Sequence, residues 1–579
     1  MALNGPTRAV TLSPALSDSV SAPALSAPVP AIARVLASLQ CLRSGPGSLL
    51  PLLALALLLP LLAACQPQRS PSRLVVATKS RIDSVDPVKA SRIGAMQLLS
   101  ALGDPLYAMT ADGRIEPRLA TALPTISSDG LMARIPLRRG VLFHDGTPFD
   151  AAALVFSLKR FMAIGTLGYQ LSDRVKEVRA SGSHAVELEL HQPFSPLPRL
   201  LSAIFLTPIS PTAYRNHPDK PLNERFVGTG PYQLTFFGGQ QVRLTPWRRY
   251  WGPKPANDGM DLVTLSNSTA LFGALRSGEV DVLLSSGLEI DHEQALRRDA
   301  LAGRLHEARG PALSIGFLSL LTDQPPLDNP SLRQAIAHSL DRQTISRRVS
   351  LGLRPPLRQL VPPSLPGSDP NAWPAYDPAE ARRLYRAAGY CGGKRFSLPL
   401  TFRSDIPSDR LFALTWQAQL RRDLGDCVTL EVSGMESTTA YDQLANGALV
   451  LFFYDWIGDY PDAENFLAPL LSCQEPQGNR CAKGNSALSG SFWTAPGLDL
   501  QLVRSSQVEG PGRIALLRAI QRRTAAAVPY LPVWLMEEGA WSGVRVSPPL
   551  FDGSGRVRLE ALHRLGPATA PGSGGEAGR

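Results

Sequence analysis

The run Leu449–Tyr454, LVLFFY, limits the folding of this chain more than any other stretch. Consecutive aromatic and aliphatic residues leave no polar face, so it reads as a strand buried on both sides, as inside an α/β sheet. The sequence then changes character. Asp455, Gly458, Asp459, Pro461, Asp462 and Glu464 surround Trp456, and we read them as an acidic loop leaving the strand. In α/β proteins ligands bind where strands end and loops begin. A carboxylate beside an aromatic ring at such an edge can hold a cationic group against an apolar wall. The same residues would also serve as a solvated turn.

The rest of the chain narrows the choice. Its 579 residues suffice for two to four domains, and 44% hydrophobic with 19% charged residues is a globular composition. The formal charge of +10 is spread along the chain. No basic run is interleaved with aromatics, and no zinc-finger or RNP-like pattern occurs, so nucleic acid is not the expected partner. The basicity fits solubility and attraction to anionic membrane surfaces.

Residues 1–33 are rich in Ala, Pro, Ser and Val and read as unstructured. Arg34 and Arg43 precede the apolar stretch Leu49–Ala64, which contains Pro60. It is short for a membrane-spanning helix and suits a signal-peptide core. Its end, Leu62-Ala63-Ala64-Cys65, resembles the lipobox of bacterial lipoproteins, in which cleavage precedes the Cys and the Cys is lipidated. This implies a signal segment over 1–64, a lipid on Cys65, and a tether over 65–71. The segment before the apolar core is longer than an ordinary n-region, so a start near Val35 or Leu42 is an alternative. Removing 1–64 takes away three basic residues and one acidic residue, lowering +10 to +8. Export implies an oxidising compartment. The cysteines beyond Cys65 are Cys391, Cys427, Cys473 and Cys481. Three pairings are open, and we favour the local ones, Cys391–Cys427 and Cys473–Cys481. Their spacings match no zinc motif.

In the body, Leu74–Ala77 reads as a first strand, Ile115–Ala120 as a turn into a short helix, and Leu131–Leu137 as an alternating strand. His144-Asp145-Gly146-Thr147 is a turn; Asp150 caps a helix carrying Leu154, Val155, Leu158, Phe161 and Met162 on one face. Asn329-Pro330 opens another helix. Asp377 with Glu380 forms a capping box on a helix that Gly389 ends. The stretch Leu137–Met162 resembles a signature of the peptide/nickel-type solute-binding proteins of bacterial ABC importers. Further segments follow in that family's order: Val227–Tyr232, Tyr250–Gly252, Ala274–Asp281, Leu332–Arg342 and Tyr376–Tyr390.

The resemblance covers about Leu74–Arg564 and implies a two-lobed, three-domain α/β fold of the Venus-flytrap kind, closing by a hinge over an interlobe cleft. By similarity, domain I occupies 72–110, 215–310 and 535–565, domain II 111–214, and domain III 311–534, with a disordered tail over 566–579. The implied function is capture of short peptides in the periplasm for ABC permease subunits driven by separate ATPase subunits. The protein would act as a monomer, without a cofactor, and not as an enzyme. The loop after Leu449–Tyr454 resembles the family segment whose Asp holds a peptide ammonium. This implies that role for Asp459 and a pocket wall for Trp456, while Asp455 adds a second carboxylate where the family often has Gly. Arg403 and Arg410 lie where relatives place a carboxylate partner, but each reads more readily as a solvated surface arginine; Trp493 either lines the cleft or packs in a core, and core packing is expected of Tyr232, Trp247 and Trp251. Nickel, haem or an oligosaccharide are alternative ligands, but the eight His include no ligand-spaced pair. A peptidase is disfavoured by the absence of G-x-S-x-G and H-E-x-x-H motifs, and a sensor feeding no transporter is a third reading.

Overall fold

Three β-sheets organise the computed structural model, which describes residues 72–285 and 287–566. The signal segment, Cys65, the tether up to Pro71 and the tail beyond Gly566 lie outside the described residues. The first strand, Leu74–Thr78, is wholly buried and runs parallel to both Met260–Thr264 and Val282–Leu284. Antiparallel neighbours extend it to a seven-stranded sheet, with Leu305–Arg309 at one edge and Tyr232–Phe237 at the other. A four-stranded antiparallel sheet is built from Thr125–Ile126, Met132–Pro136, Ala185–Leu190 and Val175–Ala180. These two sheets share one hydrophobic core.

The third sheet has five strands, ordered Val428–Met435, Phe396–Arg403, Leu451–Ile457, Ser314–Leu320 and Tyr530–Met536, around a second core. The fold is therefore α/β and two-lobed. The Leu449–Tyr454 run does give a buried central strand, but that strand continues to Ile457. Asp455 and Trp456 belong to the strand and not to a loop, because Ser314–Leu320 runs beside them to the end, pairing Gly316 with Asp455 and Ser314 with Ile457. Gly316 is required there: a Cβ would lie 2.3 Å from the Trp534 indole nitrogen.

The chain passes between the lobes after Arg309 and again after Met536. The two crossings touch where the Gly310 N–H donates to the Glu538 carbonyl at 2.8 Å. Both favoured disulfides, Cys391–Cys427 and Cys473–Cys481, are present. The only group of Cys, His and acidic residues close enough to hold a metal among the described residues is Asp426 with the bonded Cys391 and Cys427. No described helix is long and apolar enough to cross a membrane.

The helix Ala151–Ile164 begins at Asp150, which accepts from the Ala153 N–H, and buries Leu154, Leu158 and Phe161. Two local readings are corrected. Ile115–Pro117 is a strand paired with Tyr107–Met109, because the turn at Asp112-Gly113 closes a hairpin and seats Ile115 opposite Met109. Asp377 caps Pro378–Ala387 through the Ala379 and Glu380 N–H groups, but Glu380 pairs with Arg383 and the Asp377 N–H donates to His338, so the reciprocal half of the box does not form.

Within the first core, Arg160 projects from its helix onto Asp86, with both guanidinium nitrogens on both carboxylate oxygens at 2.8 and 2.7 Å. Asp86 also accepts from the Leu222 N–H, and Arg160 donates to the Lys220 carbonyl. Both side chains are buried, so removing one charge strands the other in a dry site. We predict that Asp86→Asn lowers the urea-unfolding free energy by about 3–5 kcal/mol, and that Asp86→Leu combined with Arg160→Met recovers most of that loss.

Candidate functional site

The segment after Ile457 leaves the second lobe and docks on the first. Tyr460 is buried in the core of the first lobe, and its hydroxyl donates to Glu464. Glu464 in turn accepts from Arg174 at 2.7 Å. Asp462, also buried, is held by Arg513 of its own lobe at 2.6 and 3.0 Å and lies 3.6 Å from Arg199 of the other. Arg199 also donates to the Pro461 carbonyl at 2.9 Å. Gly458 is needed where the segment turns, since a Cβ would lie 2.8 Å from the Phe466 ring.

Asp459 stands at the centre of this docking. Its carboxylate accepts from the Gln170 side-chain amide of the first lobe at 2.7 Å, while its own N–H donates to the Asn465 side chain at 2.6 Å. Among the described residues no Lys, Arg or His forms an ion pair with it. Burial pushes its pKa up to about 6, against the Gln170 and Asn465 hydrogen bonds, which favour the charged form. This is a partly desolvated carboxylate with no countercharge among the described residues. Trp456 is half-buried two residues before Gly458, its indole N–H donated to the Asn465 carbonyl at 2.8 Å.

The second sequence-level carboxylate is differently placed. Asp455 forms an ion pair with Arg403, whose Nε donates to Asp409 at 2.7 Å and whose Nη1 donates to the Tyr441 hydroxyl at 3.1 Å. Burial opposes the charge on Arg403, but Asp455 and Asp409 together hold its pKa above the ordinary arginine value. Burial pushes the Asp409 carboxyl up to about 6 despite Arg403.

Asp455, Arg403 and Ile457 line a cavity of ≈ 380 Å³ between the lobes. Ser285 and Glu293 face them from the first lobe, Arg354 and Trp534 from the second, and Glu537 and Glu538 from the crossing. Arg410 is exposed and outside this lining; Trp493 is buried in the second core, also outside it. Tyr232 is buried in the first core, and Trp251 donates to Asp104 at 2.9 Å. Sequence reasoning missed Gln170, Arg174 and Arg199, which act from the opposite lobe and carry no local pattern. It also missed Glu537 and Glu538, although they follow the apolar run Tyr530–Met536 just as Asp455 follows Leu449–Tyr454. That repeated pattern was a usable signal.

Comparison with known proteins agrees with this architecture. The model of the bacterial extracellular solute-binding proteins, family 5 (middle), matches residues 114–478. The glutathione-binding protein GsiB of Escherichia coli O1:K1 is 27% identical over 430 residues, which is 73% of this chain and 82% of that protein. Among solved structures, a dipeptide-binding protein from Pseudoalteromonas sp. SM9913 in complex with Met-Leu aligns with a TM-score of 0.70 at 22% identity, over 85% of this chain and 100% of that one. NikA from Brucella suis in complex with Fe(III)-EDTA aligns with a TM-score of 0.75 at 23% identity, over the same shares.

The Gln170 amide stabilises the ionised form of Asp459, so removing it must raise the carboxyl pKa further. Carboxyl-resolved NMR titration is expected to place Asp459 near 6 in the unliganded protein, and higher in Gln170→Leu.

Proposed function

The chain belongs to the bacterial extracellular solute-binding proteins of family 5, and from that premise we propose that it captures short peptides in the periplasm and delivers them to the permease of an ABC importer. In this reading it is a monomer that works with separate permease and ATPase subunits and catalyses no reaction. Domain I takes 72–110, 215–310 and 535–565, domain II takes 111–214, and domain III takes 311–534. A lipid on Cys65 ties it to the membrane through the 65–71 tether. The relatives named for glutathione and for a dipeptide support a peptide as the ligand class.

The observation that carries the reading is the Asp459 carboxylate. Gln170 donates to it, no cation among the described residues pairs with it, and it lies where the lobes meet. A ligand ammonium there would supply the missing charge out of water, where such a pair counts for most. Asp455 is the lesser candidate for that role, because Arg403 already neutralises it. Trp456, which like Asp459 is outside the lining of the described cavity, walls a ligand side-chain pocket in this proposal. Arg410, exposed on its helix, and Trp493, enclosed in a core, are not carried into it. Ligand that touches both lobes binds the closed form more tightly and shifts the open–closed equilibrium about the paired crossings at Gly310 and Glu538.

Asp459→Asn should weaken peptide binding by about 2–5 kcal/mol in calorimetric titration while leaving the melting curve unchanged. Unaltered affinity would remove the anchor. Since an ammonium needs the ionised carboxylate, affinity for a peptide lacking titrating side chains is expected to fall as pH drops through about 6. It should be about tenfold weaker at pH 5 than at pH 7, and this dependence should vanish in Asp459→Asn. Cys65→Ser should move the protein from the membrane fraction to the soluble fraction of cells that export it.

A further inference from the structure

Two guanidinium groups line the interlobe cavity, and they differ in kind. Each nitrogen of Arg403 already has a partner, Asp409, Asp455 or the Tyr441 hydroxyl, and two carboxylates offset its charge. Arg354 is held by everything except its charge. Its N–H donates to the Ser350 hydroxyl at 3.0 Å, and its carbonyl accepts from the Ser346 hydroxyl at 2.6 Å. Both serines lie on the helix Arg342–Ser350 that precedes it. The following prolines fix the chain direction: the Leu535 N–H donates to the Pro355 carbonyl at 2.8 Å, and Pro356 bridges to Trp534. The guanidinium lies over the Trp534 ring, 5.1 Å from its centre. Among the described residues no carboxylate, carbonyl or hydroxyl accepts from it and no ion pair includes it.

An arginine stacked on an indole keeps its in-plane N–H donors available, and the planar fork matches a carboxylate in bidentate fashion. The side chain is half-buried, and burial lowers its pKa, so the group lacks solvation that an anion would restore. The acidic residues near it do not fill the vacancy. Asp409 and Asp455 are engaged by Arg403, and Glu293 by Arg309 at 2.5 Å. Glu538 accepts from the Ser285 hydroxyl at 2.6 Å, at the crossing between lobes, and Glu537 beside it lines the cavity but forms no ion pair with Arg354.

We propose that Arg354 receives a carboxylate of the bound ligand, so that this arginine, and not Arg403 or Arg410, orients the ligand's anionic end. The proposal rests on the peptide reading for the identity of that carboxylate as a peptide C-terminus. Trp534 is paired to Gly316 and Gly316 to Asp455, so the Trp534 backbone lies two strand spacings, about 10 Å, across the sheet from that of Asp455, and Arg354 and Asp455 line the same cavity.

The test uses the full exported chain and calorimetric titration with three probes: short peptides with a free C-terminus, the same peptides as C-terminal amides, and Fe(III)-EDTA as a carboxylate-bearing non-peptide. Wild type is expected to prefer the free acids over the amides by at least about tenfold. Arg354→Gln should erase that preference while leaving amide affinity unchanged, and Arg354→Lys should restore part of it. Unaltered melting of Arg354→Gln excludes loss of fold as the cause. A preference for the free acid that survives in Arg354→Gln would overturn the role of Arg354 and leave the peptide reading standing. Binding of Fe(III)-EDTA alone, lost in Arg354→Gln, would support Arg354 and overturn the peptide reading. Equal or tighter binding of the amides, or binding of none of the probes, would overturn the proposal for Arg354.

Discussion

The register of one strand carries the site. Leu451–Ile457 is hydrogen-bonded to Phe396–Arg403 on one side and to Ser314–Leu320 on the other, and its first four residues are buried. With Phe453 opposite Phe402, Asp455 emerges beside Arg403 at the end of the parallel neighbour. A slip of one residue would turn the aromatic face of Phe453 away from Phe412 and Trp534 and push Asp455 to the other side of the sheet. Packing of the second core therefore decides which carboxylate meets Arg403, and which continues outward into the segment that reaches the first lobe.

That segment couples fold to motion. Tyr460 lends its ring to the core of the first lobe although the strand before it belongs to the second. Around it, Arg174 and Arg199 of the first lobe meet Glu464 and Asp462 of the second. Buried ion pairs contribute little net stability against apolar packing, but they are costly to break one partner at a time and they fix geometry. Opening the lobes would separate these charges together and return them to water, where hydration offsets the lost pairing. Such a contact favours one docking position without locking it, which suits a cleft that has to open again.

Much of the fold was legible because it follows from local chemistry. The buried strands at Leu74 and Leu449, the Asp150 cap, the Asn329-Pro330 helix start and both disulfides are properties of short stretches. Errors arose where a distant partner overrides local preference. Asp455 and Trp456 look like loop residues until Ser314–Leu320 is laid beside them, and Glu380 leaves its capping box for Arg383. The site was legible only in part, for the same reason. Asp459 and Trp456 sit in a recognisable segment, but the cation of the cavity does not. Arg354 follows a helix end in a sequence crowded with arginines, and nothing local separates it from Arg347, Arg348 or Arg358. Only the tertiary fold puts Trp534 beneath it and leaves its donors unclaimed.

The charges around the cleft can be sorted by one criterion, whether the chain itself completes them. Asp462 and Glu464 are buried and each has an arginine. Asp455 and Asp409 share one. A protein that encloses these carboxylates with their countercharges is following the ordinary rule for buried ions. Among the described residues Glu537 and Glu538 of the crossing also form no ion pair, and Asp459 and Arg354 are incomplete in opposite senses, one a carboxylate without a cation and the other a guanidinium without an acceptor. Each shifts in the direction that desolvation dictates, the acid upward and the base downward, so each is held in a state that a complementary charge would relieve. In the proposed reading, a single molecule carrying an ammonium and a carboxylate would supply both missing charges.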